Sequence, residues 1–221
     1  MKVTVYLDVL SLWCLYADRS LDALLASHGD QISFAWKISL IRGTGPLGYP
    51  PDLEAWYYRR GAALTGEMLN PNWFEDGSGT LDANLVAEAA RALGATDRTV
   101  YRALMDAAMV DGKPVHRLEG AAAVAARASG IDAAAIIEAA RRPETKALIL
   151  DSTDEMLSLG VDQRPVIICE NTIPDRAVLS GVWAYEPISA LCLAMARDEH
   201  RFLTFNRDHP EPGRHGREGS P

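Results

Sequence analysis

Two residues with reactive side chains, Ser11 and Cys14, lie three apart where a strand-like pattern changes into a helix-like one. The stretch "VYLDVLSLWCLYADRSLDALLA" begins with a short apolar run and continues with apolar residues at helical spacing. The first residues of a helix carry unsatisfied backbone N–H groups and the positive end of the helix dipole. A thiol there becomes a better nucleophile. A serine there caps the helix or donates a hydrogen bond to a bound thiolate.

The elements that position this junction form a strand–helix–strand unit. The patterns predict a buried strand at residues 2–7, a helix at 12–27 and a second strand at 32–39. That order predicts two parallel strands joined by a right-handed crossover. A loop rich in Gly and Pro, "RGTGPLGYPP", leaves the second strand.

The rest of the chain predicts a helical block followed by two strands and a helix. Residues 52–65 predict a helix and residues 81–159 are almost wholly helical in pattern, whereas "RPVIICE" and "AVLSG" predict strands. The turn "NTIPDR" is too short for a crossover, so these strands form an antiparallel hairpin. A final helix is predicted at 185–199.

This order, β-α-β, helices, then β-β-α, is that of an α/β protein with a thioredoxin-like fold. We therefore predict a thioredoxin-like domain from residues 1–49 and 160–203, interrupted by a mainly helical insertion at 50–159. Residues 204–221 are rich in Pro, Gly and charge, and we predict a disordered tail there.

Composition excludes several classes of partner. The net charge of -8 and the pI of about 5.1 argue against nucleic acid. No apolar run reaches the roughly 20 residues of a membrane span, and the first residues do not resemble a signal peptide. The sequence predicts a cytoplasmic protein.

The three cysteines, Cys14, Cys169 and Cys192, predict neither a disulfide framework nor a zinc site. Their number is odd and no two have Cys-x-x-Cys spacing. Cys169 and Cys192 are predicted to be core residues of a strand and a helix, and burial is also favoured for Cys14. We expect no metal.

Three motifs together resemble the DsbA-like branch of the thioredoxin superfamily, over roughly residues 1–197. They are "DVLSLWC" at residues 8–14, Pro165 at the start of the third strand, and Ser180-Gly181 after the fourth. That branch includes FrnE-like oxidoreductases, kappa-class glutathione transferases and 2-hydroxychromene-2-carboxylate isomerases.

The resemblance implies a role for each matching residue. Ser11 falls on the nucleophilic Cys of the redox members and the catalytic Ser of the others, and Cys14 falls on the resolving Cys. Pro165 falls on a cis-proline beside the site. A low-molecular-weight thiol such as glutathione would place its sulfur near Ser11, its backbone along Pro165, and its anionic end near Ser180 and Gly181.

The sequence departs from the family pattern at three positions. Ser11 removes the dithiol, so disulfide exchange between two cysteines of this motif is not available. Arg164 stands where a small apolar residue usually precedes the proline. It either binds an anion or pairs with a surface acid such as Asp162. Trp183 stands about where the kappa transferases place a polar or acidic residue that holds the cofactor amine.

Further side chains are candidates for the substrate pocket. Trp13 is one, and Trp36, Trp56 and Trp73 are others. Lys37 either points into the same cleft or is a solvated strand residue. Asn72 lies in a loop that resembles the substrate-side loop of the isomerases, although a surface turn is the commoner interpretation of such a stretch.

Three hypotheses for function follow. The first is a thiol-dependent enzyme that conjugates or isomerises a hydrophobic, aromatic substrate at a Ser-x-x-Cys site. The second is an oxidoreductase that uses Cys14 alone through a mixed disulfide. The third is a catalytically silent thioredoxin-fold module that binds a ligand or a protein. Related proteins are often dimers, so a homodimer is compatible with all three.

Overall fold

The computed structural model describes residues 1–209 and contains one four-stranded sheet. Its strands are β1 (Lys2–Leu7), β2 (Ser33–Ile38), β3 (Val166–Glu170) and β4 (Arg176–Ser180). Their spatial order is β2-β1-β3-β4, with β1 parallel to β2 and the other two pairs antiparallel. The predicted β-α-β and β-β-α halves of a thioredoxin-like fold are confirmed.

Eight α-helices and one short 3-10 turn complete the described chain. The 3-10 turn covers Pro71–Trp73. The helices are α1 (Leu12–His28), α2 (Pro51–Thr65), α3 (Leu81–Ala92), α4 (Thr99–Met109), α5 (Leu118–Ser129), α6 (Ala133–Ala140), α7 (Pro143–Leu157) and α8 (Tyr185–Asp208). Helices α2 to α7 lie within the segment 50–159 that the sequence predicts to be helical.

Alternation along β1 divides the apolar side chains between the two faces of the sheet. Val3, Val5 and Leu7 belong to the main core. Tyr6 belongs to a smaller cluster on the other face, where it packs with Met156 of α7. Because side chains alternate with a period of two, each of the central strands β1 and β3 contributes to both clusters.

The C-terminal helix is longer than the sequence analysis predicts. Helix α8 continues to Asp208 instead of ending at Glu199, so residues 204–208, predicted as disordered tail, are helical. The prediction gave more weight to charged and polar residues than to Phe202 and Phe205, which continue the helical spacing. The remaining part of that prediction, residues 210–221, lies outside the described residues.

None of the helices within residues 1–209 combines the length and the apolar character needed to cross a membrane.

Candidate functional site

Asp8, the first residue after β1, anchors the loops that form the site. Its side chain is fully buried. One carboxylate oxygen accepts from the backbone N of Leu10 and from Asn84 Nδ2, at 3.0 and 2.9 Å. The other accepts from the backbone N of Ile41 and from Thr80 Oγ1, at 3.1 and 2.6 Å. Asp8 therefore joins the β1–α1 loop, the segment after β2, and α3. Burial raises its pKa against these hydrogen bonds.

Ser11 is the N-cap of α1. Its hydroxyl accepts a hydrogen bond from the backbone N of Cys14 at 3.4 Å, and its own N–H donates to the Asp8 carbonyl at 3.0 Å. Only 6% of Ser11 is exposed. A serine hydroxyl has one proton to donate, and the acceptor nearest to the one on Ser11 is the Cys14 sulfur.

Cys14 lies one turn into α1 and is only 2% exposed. Burial raises the pKa of its thiol to about 12, although the Ser11 hydroxyl beside it favours the thiolate. Cys14 is therefore a neutral thiol near pH 7, unlike the cysteines whose pKa a helix N-terminus lowers.

A second segment, from Arg164 to Pro165, lies beside this helix start. The antiparallel register pairs Tyr6 with Val166, so Pro165 falls alongside Leu7, where β1 leads into Asp8. The Arg164–Pro165 peptide bond is cis. The Pro165 carbonyl accepts from the backbone N of Gly181 at 2.8 Å.

The turn at Gly181 follows directly from the pairing of β3 with β4. Ser180 is the last residue of β4 and pairs with Val166. Gly181 has a φ of 69°, and a Cβ there would lie 3.2 Å from Gln163 Cβ. The left-handed backbone and the close approach together favour glycine at this position.

Arg164 donates to two backbone carbonyls, of Ser39 at 3.3 Å and of Asp162 at 2.7 Å. It forms no ion pair with the Asp162 carboxylate, which was one of the two predicted roles. Burial lowers its pKa, while the nearby Asp8 carboxylate opposes that shift. Its guanidinium thus fastens the segment before Pro165 to the end of β2.

Trp13, Tyr16 and Trp183 form an aromatic cluster on the outer side of α1. Their ring centroids are 5.7–6.0 Å apart in tilted arrangements. Trp183 is held there through its carbonyl, which accepts from Ser20 Oγ at 2.8 Å. The Tyr16 hydroxyl is buried and has no hydrogen-bond partner among the described residues.

Helix α2 adds Arg60 to this aromatic cluster, a residue that the sequence analysis did not single out. Its guanidinium carbon lies 5.6 Å from the centroid of the Trp13 ring and 5.8 Å from that of Trp56. Within residues 1–209 it pairs with no carboxylate. The only sequence signal was the basic pair in "YYRRG", which does not distinguish Arg60 from Arg59.

The N-terminal part of α2 also buries a carboxyl group that the sequence analysis missed. Glu54 is 5% exposed and accepts a hydrogen bond from the Tyr49 hydroxyl at 2.8 Å. Burial raises the pKa of Glu54 to about 7. Nearby, Trp73 Nε1 donates to the Tyr58 hydroxyl at 2.7 Å. A helix pattern that places Glu54 beside exposed residues gives no sign of this burial.

Two predicted site residues lie elsewhere. Lys37 pairs in register with Tyr6, lies over its ring and forms an ion pair with Glu155 of α7. It therefore occupies the α7 face of the sheet. Asn72 is exposed in the 3-10 turn, where its backbone N bonds to Asn70 Oδ1 at 3.0 Å. No hydrogen bond or ion pair links either residue to Ser11.

Two of the four tryptophans predicted to line the substrate pocket are core residues. Trp13 and Trp56 meet through Arg60, but Trp36 and Trp73 are 4% and 1% exposed and pack in the core. Trp36 lies instead beside a cavity of about 660 Å³ at the β2 edge, where Arg91, Arg98 and Arg102 also line the wall. Each of these arginines pairs with a carboxylate.

The described residues contain no group of three or more His, Cys, Asp or Glu side chains arranged to hold a metal ion.

The amino-acid sequence matches a protein-family model. A model of the DSBA-like thioredoxin domain matches residues 2–184. The chain belongs to this family. No curated protein sequence matches significantly.

Solved structures similar to this DSBA-like protein share its fold. The cytosolic disulfide reductase DsbM from Pseudomonas aeruginosa, solved with GSH, is 22% identical with a TM-score of 0.70, covering 89% of this chain and 100% of DsbM. A 2-hydroxychromene-2-carboxylate isomerase is 17% identical with a TM-score of 0.65, covering 93% and 99%. A thioredoxin-like oxidoreductase from Silicibacter pomeroyi is 19% identical with a TM-score of 0.58, covering 89% and 86%.

Proposed function

We propose that this DSBA-like protein is a thiol-dependent enzyme that binds a low-molecular-weight thiol at Ser11 and conjugates or isomerises a hydrophobic, aromatic substrate. The observation that carries the proposal is the hydroxyl of Ser11. It caps α1 as an acceptor, and in the proposal it turns its proton from the neighbouring Cys14 sulfur to a bound thiolate. The helix dipole and the unsatisfied first N–H groups of α1 stabilise the same negative charge.

The state of Cys14 supports thiol binding over disulfide exchange. Its thiol is buried, and its pKa is raised to about 12, so it is a weak nucleophile near neutral pH. This disfavours the alternative in which Cys14 alone performs redox chemistry through a mixed disulfide. A bound thiol would supply the reactive sulfur that the protein's own motif lacks.

The surroundings of Trp13 support an aromatic substrate and an anionic group. Trp13, Trp56 and Trp183 present ring surfaces, and Arg60 lies between two of them. A guanidinium held over aromatic faces keeps its N–H donors available for a carboxylate. We propose that Arg60 binds the carboxylate end of the thiol or of the substrate, beside Trp13 and Trp56.

The proposal is tested by calorimetric titration of the protein with reduced glutathione and, separately, with S-methylglutathione. The two ligands differ in the thiol alone, so a contact to the thiolate distinguishes them. Ser11→Ala should weaken glutathione binding by roughly tenfold, which corresponds to one lost charge-assisted hydrogen bond. It should leave S-methylglutathione binding unchanged.

A second variant separates capping from binding. Ser11→Gly costs little as an N-cap and removes the hydroxyl donor without burying a charge, so it should fold normally and bind glutathione more weakly. Equal affinity of wild type, Ser11→Ala and Ser11→Gly for glutathione would show that Ser11 makes no contact with the thiol.

Absence of binding to any reduced thiol would instead favour a silent binding module. The limited exposure of Ser11 makes this the principal competing outcome.

The comparisons are compatible with the proposal at the level of the family. A DsbM structure contains GSH, and an isomerase shares the fold. The cytoplasmic location expected from the sequence remains part of the proposal, and so does a homodimer.

A further inference from the structure

Cys169 and Cys192 lie opposite each other, and neither belongs to the site described around Ser11. Cys169 is on β3, one of the two central strands, and Cys192 is on α8. Their sulfur atoms are 3.3 Å apart, and both residues are 0% exposed. The sequence analysis predicts each of them to be a core residue, which is confirmed, but it does not predict that they meet.

We propose that Cys169 and Cys192 are a second reactive centre of this protein, which a hydroperoxide oxidises to a reversible intramolecular disulfide. This centre does not depend on the function proposed for Ser11.

Geometry favours bond formation. A disulfide has a sulfur–sulfur bond of about 2.05 Å, so the two atoms must approach by about 1.3 Å from their present separation. That movement is divided between two side chains. The residues are 23 apart in sequence, and the bond would tie α8 to an interior strand.

The two thiols are not equivalent. The two sulfurs share one hydrogen bond, which lowers the pKa of Cys192 and raises that of Cys169. Apart from burial, each thiol is the only group that shifts the pKa of the other. Cys192 is therefore the sulfur that reacts first.

The oxidation balances in two steps. The Cys192 thiolate attacks one peroxide oxygen, forming an S–O bond while the O–O bond breaks and the released hydroxide takes up a proton. The resulting sulfenic acid is attacked by the Cys169 sulfur. The S–S bond forms, the S–O bond breaks, and hydroxide leaves with the Cys169 proton as water. With hydrogen peroxide, two thiols lose two hydrogens and the peroxide becomes two waters.

Burial selects the oxidant. Because neither sulfur is exposed, a bulky disulfide such as oxidised glutathione cannot approach them in the folded protein, whereas hydrogen peroxide is close to water in size. Cys14 provides an internal contrast. It is equally buried, but its pKa is raised to about 12, and the structure pairs it with no second thiol.

The test treats the full-length protein with hydrogen peroxide, alkylates it under denaturing, non-reducing conditions, and maps the peptides by mass spectrometry. The expected product is a cross-link between the Cys169 and Cys192 peptides, with Cys14 alkylated. Reduction with dithiothreitol should restore all three alkylated cysteines. Thermal unfolding of the oxidised protein should shift upward by several degrees, because the cross-link constrains the unfolded chain.

Two variants and a second oxidant control the result. Cys14→Ser should form the same cross-link, and Cys192→Ala should form none. Oxidised glutathione should form it much more slowly than peroxide. The proposal is overturned if peroxide leaves all three cysteines alkylatable, or if it produces sulfinic acid at either residue without a cross-link. Equal rates with the two oxidants would overturn the role of burial. The wild-type map decides these outcomes even if Cys192→Ala does not fold.

Discussion

Asp8 and Asn84 hold each other across the interface between the sheet and the helical segment. Asn84 Nδ2 donates to Asp8 Oδ1 at 2.9 Å, and Asn84 Oδ1 accepts from the backbone N of Val9 at 3.1 Å. Both side chains are fully buried. The loop before Ser11 is thus fixed by a residue on α3, about 75 positions later in the chain, as well as by its own sequence.

We expect Asp8→Asn to destabilise the protein by on the order of 3 kcal/mol, because an amide NH2 group would face the donors that the carboxylate now satisfies. Urea unfolding followed by circular dichroism measures the change. Asp30→Asn, at an exposed position, serves as the control and should change little. Equal midpoints for Asp8→Asn and wild type would contradict the role of Asp8 as an anchor.

Cys14 should react slowly with thiol reagents in the native protein at pH 7, since its pKa is raised to about 12 and it is buried. Labelling with iodoacetamide, analysed by peptide mapping, should show a rate that rises up to high pH and a rapid reaction in denaturant. Cys14→Ser should remove only the Cys14 signal. Rapid native labelling of Cys14 at neutral pH would restore the monothiol redox hypothesis.

Glu54 should make stability depend on pH in the neutral range. Its pKa is raised from 4.5 to about 7, so the folded state keeps a proton that the unfolded chain has already released. The stability that the protonated Glu54 carboxyl gives the folded state is fully present below about pH 4.5, and it is lost as the pH rises through about 7.

Glu54→Gln keeps an acceptor for Tyr49 and removes this titration. Between about pH 5 and pH 8, the variant's free energy of unfolding should fall less than that of wild type, by on the order of 2–3 kcal/mol. Asp52→Asn, at an exposed position on the same helix, should follow the wild-type profile. Parallel profiles for Glu54→Gln and wild type would show that Glu54 does not titrate in this range.

Arg60→Met should weaken binding of a carboxylate-bearing thiol by roughly tenfold, because it removes a charge-assisted hydrogen bond and keeps most of the aliphatic stem. Cysteamine, a thiol without a carboxylate, should bind the variant and wild type equally. Arg59→Met provides the matched control, since Arg59 is equally exposed on the same helix but is not the cation over Trp13 and Trp56. An identical loss in both variants would indicate a general effect of net charge.

The sequence predicted the order of elements well because each element has its own local pattern. The alternation in β1 and the helical spacing after Ser11 depend on neighbours a few residues apart. The same locality explains why Ser11 was recognised as the helix cap. The end of α8 was predicted too early, because the charged residues just before Phe202 interrupt the apolar spacing of a helix that continues to Asp208.

The candidate site was predicted less completely because its partners come from distant segments. Lys37 was a candidate for the cleft, but its strand register turns it to the α7 face, towards Glu155. Glu54 and Arg60 were missed because burial and stacking depend on how α2 lies against α1, where Gly61 allows a close approach to Tyr16. No local pattern contains that information.

The cap at Ser11 also bears on how such a protein diverges. Serine and cysteine differ by one atom, so Ser11→Cys would recreate a Cys-x-x-Cys pair at the start of α1 without altering a single element of the fold. Cys14 has the position of the second cysteine of such a pair, but it is buried. A serine cap and a cysteine pair at this helix start thus differ by one side-chain atom and by the exposure of the neighbouring Cys14.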